Sequence, residues 1–270
     1  MKGCCETIVV EFVVDTDRLL AETFVRNVEW LDEVGSTNDR ALAISVDPLV
    51  ETPYLIGADR QSAGRGRGAN QWWGAEGSLM FSVVVEMSSL TLTPADWPRF
   101  SLLTGLAISE TLSTFLPAAN VGLKWPNDVW LEGRKVSGIL IEQCERQSDR
   151  LVVGIGLNVN NSFEDAPQEL KGIATSILDA AGGAVFSRTD VLITFLSRWR
   201  ILTEQLARSD LNLAERWSRL CVLSGHPVKI TTGNQEAVGV CTGIDADGAL
   251  LLRTAFTVER HYAGTVRRLD

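Results

Sequence analysis

The chain has 270 residues, 45% hydrophobic and 22% charged, which is the composition of a globular protein and not of a disordered one. Lys and Arg number 25 against 34 Asp and Glu, so the formal net charge of −9 argues against broad, sequence-blind binding to nucleic acid or anionic membrane, while leaving room for a local basic pocket. The 5 cysteines (Cys4, Cys5, Cys144, Cys221 and Cys241) form no CxxC or metal-ligand spacing and read as reduced thiols of a cytoplasm, and 2 histidines, His226 and His261, are too few for a His-based triad or a His-rich metal site.

The N-terminus does not read as a secretory signal. Glu11 interrupts the apolar residues 8–14, acids follow at Asp15 and Asp17, and no small-residue cleavage site appears. No uncharged apolar run reaches the roughly 18 residues of a membrane span.

Residues 28–35 read as a short strand ending at Gly35. Ser36 then caps a helix, with Asp39 three residues on and Ala41, Leu42 and Ile44 following. Residues 54–59 read as a strand. Residues 61–77 are the least regular stretch, with glycines at 64, 66, 68, 74 and 77. SLMFSVVVE (78–86) is a strand, and 97–116 a helix whose only charge after Arg99 is Glu110, hence buried on most sides. Short strands follow around 121–125, 128–131, 136–143 and 151–159, joined by tight turns. That order favours antiparallel pairing and an α+β rather than a doubly wound fold. Ser187 and Asp190 open an amphipathic helix carried by Leu192, Phe195, Leu196, Trp199, Leu202 and Leu206, and a shorter helix covers 211–220. After Gly225 come four or five short strands in about 50 residues, a small β-barrel.

Three segments carry chemistry. In Gln61-Ser-Ala-Gly-Arg-Gly-Arg-Gly68, followed by Trp72 and Trp73, Arg60, Arg65 and Arg67 stand among glycines with no acid before Ala75. Glycines let backbone approach a ligand and arginines fork onto phosphate or carboxylate oxygens, so this reads as an anion-gripping loop. A solvated Gly/Arg loop reads equally well, and no Gly-Lys-Ser/Thr follows to make a Walker A loop. In Lys124-Trp-Pro-Asn127-Asp128, the lysine is the only cation between Arg99 and Arg134, at a strand end. It needs a partner: Asp128 in a structural ion pair, or a substrate phosphate, with Asn127 and Asp128 shaping the turn or holding Mg²⁺. In Lys135-Val-Ser-Gly138-Ile-Leu-Ile-Glu142 and Gly154-Ile-Gly156-Leu-Asn158-Val-Asn160, glycines inside strands mark either a face on which something narrow rests or a pair of bulges. Lys135 reads equally as a solvated turn residue.

Taken in order, Ser36-Thr37-Asn38, Gln61 with the GRGR loop, KWPND, the K-x-x-G-I-L-x-E strand, GIGLNVN and the GIDADGALLL of the small barrel resemble the biotin protein ligase family, over residues 28–270. The resemblance implies a mixed, largely antiparallel sheet with flanking helices, similar to the class II synthetase catalytic domain, over residues 1–220, with 1–25 an unplaced extension (an added edge strand or a tail). It implies an SH3-like β-barrel over 221–270. It implies activation of biotin by ATP, with Mg²⁺, to biotinyl-5′-AMP, and transfer of biotin to one lysine of a biotin carboxyl carrier protein or domain, in the cytoplasm, by a monomer or homodimer.

By motif match, Ser36 and Gln61 hydrogen-bond the biotin ureido end, and Thr37 and Asn38 shape that wall. Gly64, Arg65, Gly66 and Arg67 close over biotin and the adenylate. Lys124 neutralises the carboxylate–phosphate region. Gly138 lets biotin lie on the sheet. Trp72, Asn127 and Asn158 serve the nucleotide, and Asp128 is a candidate for Mg²⁺. The larger regulatory members carry an N-terminal winged helix-turn-helix of about 60 residues, for which a Ser-Thr-Asn motif beginning at residue 36 leaves no room, so neither DNA binding nor repression is expected. Two other readings remain: a lipoate or octanoate ligase or transferase of the same catalytic fold, and a biotin sensor without transfer activity.

Overall fold

A computed structural model describes residues 13–90, 92–93, 96–164 and 166–269. Most of the leading extension, with Cys4 and Cys5, lies outside them. Its end is neither edge strand nor tail. Helix α1 (Thr16–Glu22) is capped by Asp15, whose carboxylate accepts the Arg18 N–H. The Asp15 N–H donates to Thr189 Oγ1 at 3.0 Å and Arg18 meets Asp190 at 2.9 Å, while Leu19 is fully buried.

Among the described residues twelve strands form two sheets. The larger has seven, in the order β1-β2-β3-β7-β6-β5-β4. These are β1 (Asn27–Val34), β2 (Tyr54–Gln61), β3 (Leu79–Glu86), β4 (Val121–Lys124), β5 (Asp128–Leu131), β6 (Arg134–Gln143) and β7 (Arg150–Leu157). Helix α2 (Thr37–Ser45) connects β1 to β2, which run parallel, and every other neighbour pair is antiparallel. The smaller sheet, order β11-β10-β9-β8-β12, contains β8 (Pro227–Thr232), β9 (Gln235–Ile244), β10 (Leu250–Arg253), β11 (Val258–His261) and β12 (Thr265–Arg268). It is antiparallel throughout and forms the SH3-like unit of an α+β fold.

Alternation along the strands assigns the two faces of the large sheet. Leu151, Val153, Ile155 and Leu157 of β7, with Leu79, Phe81, Val83 and Val85 of β3, face the main core. There they meet α3 (Trp97–Phe115) and, beyond the short α4 (Ile177–Ala180), α5 (Arg188–Ala207), through Phe100, Leu103, Phe195 and Trp199. Trp199 Nε1 donates to Thr104 Oγ1 at 3.0 Å, so the buried indole is satisfied. The opposite face has a smaller cluster, Ala41, Ile56, Val84 and Val152, where α2 packs. Beyond α2 that face carries Ser82, Gly154, Gly156 and Gly138, set between Met80 and Leu140, with Gly138 directly opposite Gly156 in the β6–β7 register. A strip of sheet is thus left without a layer of its own.

Helix α6 (Leu213–Leu220) leads to the small sheet, whose Val228, Ile230, Cys241 and Leu252 join the same hydrophobic cluster as the large sheet. Trp125 Nε1 donates to Gly248 O at 3.2 Å across the junction. Cys144, Cys221 and Cys241 are buried free thiols. Among the described residues no helix is long and apolar enough to cross a membrane.

Candidate active site

The bare strip of the large sheet is the floor of a cleft of about 670 Å³, of the size that takes a small-molecule ligand. Most of the residues singled out from the sequence line it: Ser36, Thr37, Asn38 and Gln61 at the α2 end, Arg65 to Gly68 and Trp72 from the loop, and Lys124, Asn127, Asp128, Lys135 and Gly138 toward β4. The small sheet adds a wall that no motif had marked, the turns at Thr231–Gly233 and Ala263–Val266.

Ser36 caps α2, its side chain accepting the Asp39 N–H at 3.5 Å, and places Thr37 and Asn38 in the first turn. Gln61, at the end of β2, accepts the Thr37 N–H on Oε1 at 2.7 Å. Asn38 is 3% exposed and its amide is used at both ends. Nδ2 donates to Glu142 Oε2 at 2.9 Å and Leu140 O at 3.3 Å, and Oδ1 accepts from Ser82 Oγ at 2.6 Å. This seat exists only because residue 154 is glycine: a Cβ there would stand 1.9 Å from Asn38 Oδ1.

The 61–77 loop is a small hairpin more than an open coil. Arg65 bridges Gln71, the Gly66 N–H donates to Asn70 O, the Trp72 N–H donates to Gly64 O, and Gly68 turns the chain at φ 67°. Its two arginines are engaged within the protein. Arg65 forks onto Glu142 at 2.6 and 2.9 Å and also meets Asp39 at 2.6 Å. These carboxylates raise its pKa above the ordinary arginine value, Glu142 contributing most. Arg67 donates to Gly264 O at 2.7 Å, linking the loop to the small sheet. The Arg65 fork is thus already taken by carboxylates.

The space over Gly138 is taken by Trp72. A Cβ at Gly156 would lie 2.2 Å from the indole, and one at Gly138 3.2 Å from it, so the two facing glycines are the seat of a ring. The expectation of an open sheet over Gly138 is corrected to this extent. Among the described residues Trp72 Nε1 is buried without a hydrogen-bond acceptor.

At the β4 end Lys124 and Asp128 are opposite one another in the hairpin register. The carboxylate is nearer a different lysine: Lys135 Nζ lies 2.6 Å from Asp128 Oδ1 and 5.8 Å from the Trp72 ring centroid. Lys135 is therefore a cleft residue and not a solvated turn residue. Lys124 Nζ sits 5.2 Å from the Trp130 ring centroid, and burial, reinforced by Lys135 and opposed by Asp128, lowers its pKa. Two ammonium groups share one carboxylate, which leaves this end of the cleft with surplus positive charge.

Asn158 and Asp128 are both engaged within the protein. Asn158 does not line the cleft. It is 2% exposed, donates to Thr175 O at 3.0 Å and accepts from Asn161 Nδ2 at 3.2 Å, so it braces the segment after β7 and is not placed to read a nucleotide. Asp128 is engaged by Lys135 through Oδ1, and among the described residues no three His, Cys, Asp or Glu side chains gather as a metal cage. Asn127 does line the cleft, but its Nδ2 is committed to Ile139 O at 2.8 Å.

Comparison with known proteins agrees with this geometry. Residues 34–160 match the Biotin/lipoate A/B protein ligase family and residues 223–266 the Biotin protein ligase C terminal domain. The chain is 32% identical over 231 residues to the biotin--[acetyl-CoA-carboxylase] ligase of Mycobacterium tuberculosis, covering 84% of this chain and 83% of that one. It is 31% identical over 229 residues to the ligase of the same description from Paracoccus denitrificans, covering 83% and 92%. The biotin protein ligase from Aquifex aeolicus in complex with biotin and ATP superposes with a TM-score of 0.78 at 30% identity, over 90% of this chain and 99% of that one. The chain belongs to the biotin protein ligase family.

Proposed function

We infer that this chain activates biotin with ATP to biotinyl-5′-AMP, releasing pyrophosphate, and transfers the biotinyl group to a lysine of a biotin carboxyl carrier domain. The observation that carries this reading is the order of groups across one strip of sheet. A polar wall (Ser36, Thr37, Asn38, Gln61) stands at one end, a glycine floor lies between, and the Lys124–Asp128–Lys135 group stands at the other.

The wall offers hydroxyl and amide groups to a ureido ring. The surplus cation screens the biotin carboxylate as it attacks the α-phosphorus and pyrophosphate leaves. In the second step the carrier lysine attacks the acyl carbon and AMP leaves. Neither step requires a protein nucleophile, so catalysis is positioning and charge stabilisation. Lys135 joins Lys124 in this role. Trp72, with an unpartnered indole N–H, leaves its glycine seat to cover the nucleotide. Arg67 exchanges Gly264 O for substrate oxygens as the loop closes, keeping the labile mixed anhydride from water. Among the described residues no side chains gather as a cage for Mg²⁺, so the cation would be held by the phosphates of ATP. Residues 1–220 act as the catalytic unit, with 221–270 contributing the second wall, in the cytoplasm, where ATP is plentiful.

The test is the intact mass of a biotin carrier domain incubated with the protein, biotin and MgATP, with lipoate in parallel. One biotinyl addition, dependent on ATP and on the carrier lysine, is expected. Labelling by lipoate alone would overturn the reading.

A further inference from the structure

We propose that Glu142 is a positioning residue that couples the biotin wall to the root of the closing loop. Glu142 lies on β6 beside Val152 of β7, with its side chain 23% exposed. One carboxylate serves two elements. Oε2 accepts from Asn38 Nδ2 at 2.9 Å and from Arg65 Nη1 at 2.9 Å, and Oε1 accepts from Arg65 Nη2 at 2.6 Å.

The first contact decides which way the Asn38 amide faces. With Nδ2 toward Leu140 O and Glu142, and Oδ1 toward Ser82 Oγ, every polar atom of the amide has a complementary partner. Turned over, the amide would set its oxygen against two acceptors. The second contact fixes the loop. A two-pronged guanidinium–carboxylate pair is stronger and more directional than a single neutral bond, and Glu142 is much less exposed than Asp39, the other partner, at 58%. Arg65 follows Gly64, whose carbonyl accepts the Trp72 N–H, so the fork also sets where the hairpin and its indole start. Glu142 itself does not line the cleft. Removing it frees the wall and the loop root at once.

This inference rests on the reading of the cleft as a biotin-adenylating site, so biotin-dependent pyrophosphate release by the unaltered protein is measured first. Its absence overturns both. Two substitutions then separate the two contacts. Glu142→Gln has the same size and retains an oxygen for Asn38, but loses the charge that Arg65 grips. Glu142→Ala loses both. Loss of a charged hydrogen-bond partner is worth about tenfold or more.

For Glu142→Gln we expect a biotin KM within about threefold of the unaltered protein, and escape of biotinyl-AMP about tenfold faster, measured as loss of radiolabelled adenylate from the protein in the absence of carrier. For Glu142→Ala we expect the same escape together with a biotin KM raised about tenfold, and kcat for adenylation at saturating biotin changed by less than about threefold. A purely structural role would lower the melting temperature without moving KM or escape. Unchanged escape in Glu142→Gln overturns the proposal, even if Glu142→Ala fails to fold.

Discussion

Gly154→Ala is the sharpest perturbation of the biotin wall. The added Cβ would stand 1.9 Å from Asn38 Oδ1, 2.7 Å from Cγ and 3.0 Å from Nδ2. Asn38 is 3% exposed and held by Ser82, Leu140 and Glu142, so its amide can yield only by giving up those bonds. The backbone at 154 is not in the left-handed region, so the methyl group clashes through the side chain and not through φ. Overpacking costs about 1–3 kcal/mol. Losing a neutral bond and a charge-assisted bond of the buried amide adds about 2–3 kcal/mol. Stiffening a glycine returns about 0.5–1 kcal/mol. The net is a loss of about 2–5 kcal/mol, read by urea denaturation, with weaker biotin binding by calorimetry.

The control is a double-mutant cycle with Asn38→Ala. Once the amide is removed, the methyl group fits, so Gly154→Ala on that background should be neutral or slightly stabilising. Equal destabilisation in both backgrounds would refute the steric argument and place the cost in the strand itself.

Lys124→Met should abolish adenylation while raising stability by about 1 kcal/mol. Burial lowers the lysine pKa, so the folded state holds that proton less well than the unfolded chain. The penalty is therefore full below the folded-state pKa and fades as pH rises through it, and the stability gap between variant and parent should narrow toward alkaline pH. A gap independent of pH would count against a strained charge. Gly156→Ala puts a Cβ 2.2 Å from the Trp72 ring and should expel the indole from its resting seat, lowering stability by about 1–3 kcal/mol without raising KM for ATP, whereas Gly138→Ala, at 3.2 Å, should be milder; urea denaturation and steady-state kinetics of the pair decide it. Arg150→Met should cost about 3–5 kcal/mol. Arg150 is 4% exposed and pairs with Glu86 at 2.8 Å while donating to Asp47 O and Val50 O, which tie down the chain beyond α2. A melting temperature within a degree of the parent would show that this buried pair is dispensable.

Much of this protein could be read from neighbouring residues alone. The cap at Ser36, the alternation of LVVGIGL, the apolar length of 100–116 and the turn glycines after 225 are local patterns, and local backbone preference with side-chain periodicity is sufficient to place them. The order of short motifs was enough to point to the family. What the sequence could not supply was the set of partners. Period-two alternation puts Gly154 and Gly156 on one face of β7, but only the β6–β7 register sets Gly138 beside Gly156 and so makes a seat for Trp72. KWPND made Asp128 the natural partner of Lys124, while the fold brings Lys135 closer to it. GIGLNVN made Asn158 a nucleotide contact, whereas tertiary packing turns it toward Thr175 and Asn161. The GRGR loop reads as an anion grip until Glu142, 77 residues away, occupies Arg65. Backbone conformation depends on near neighbours and is therefore legible in a single chain. Charge partners, bare faces and burial are set by residues far apart in sequence, and only the folded structure brings those together.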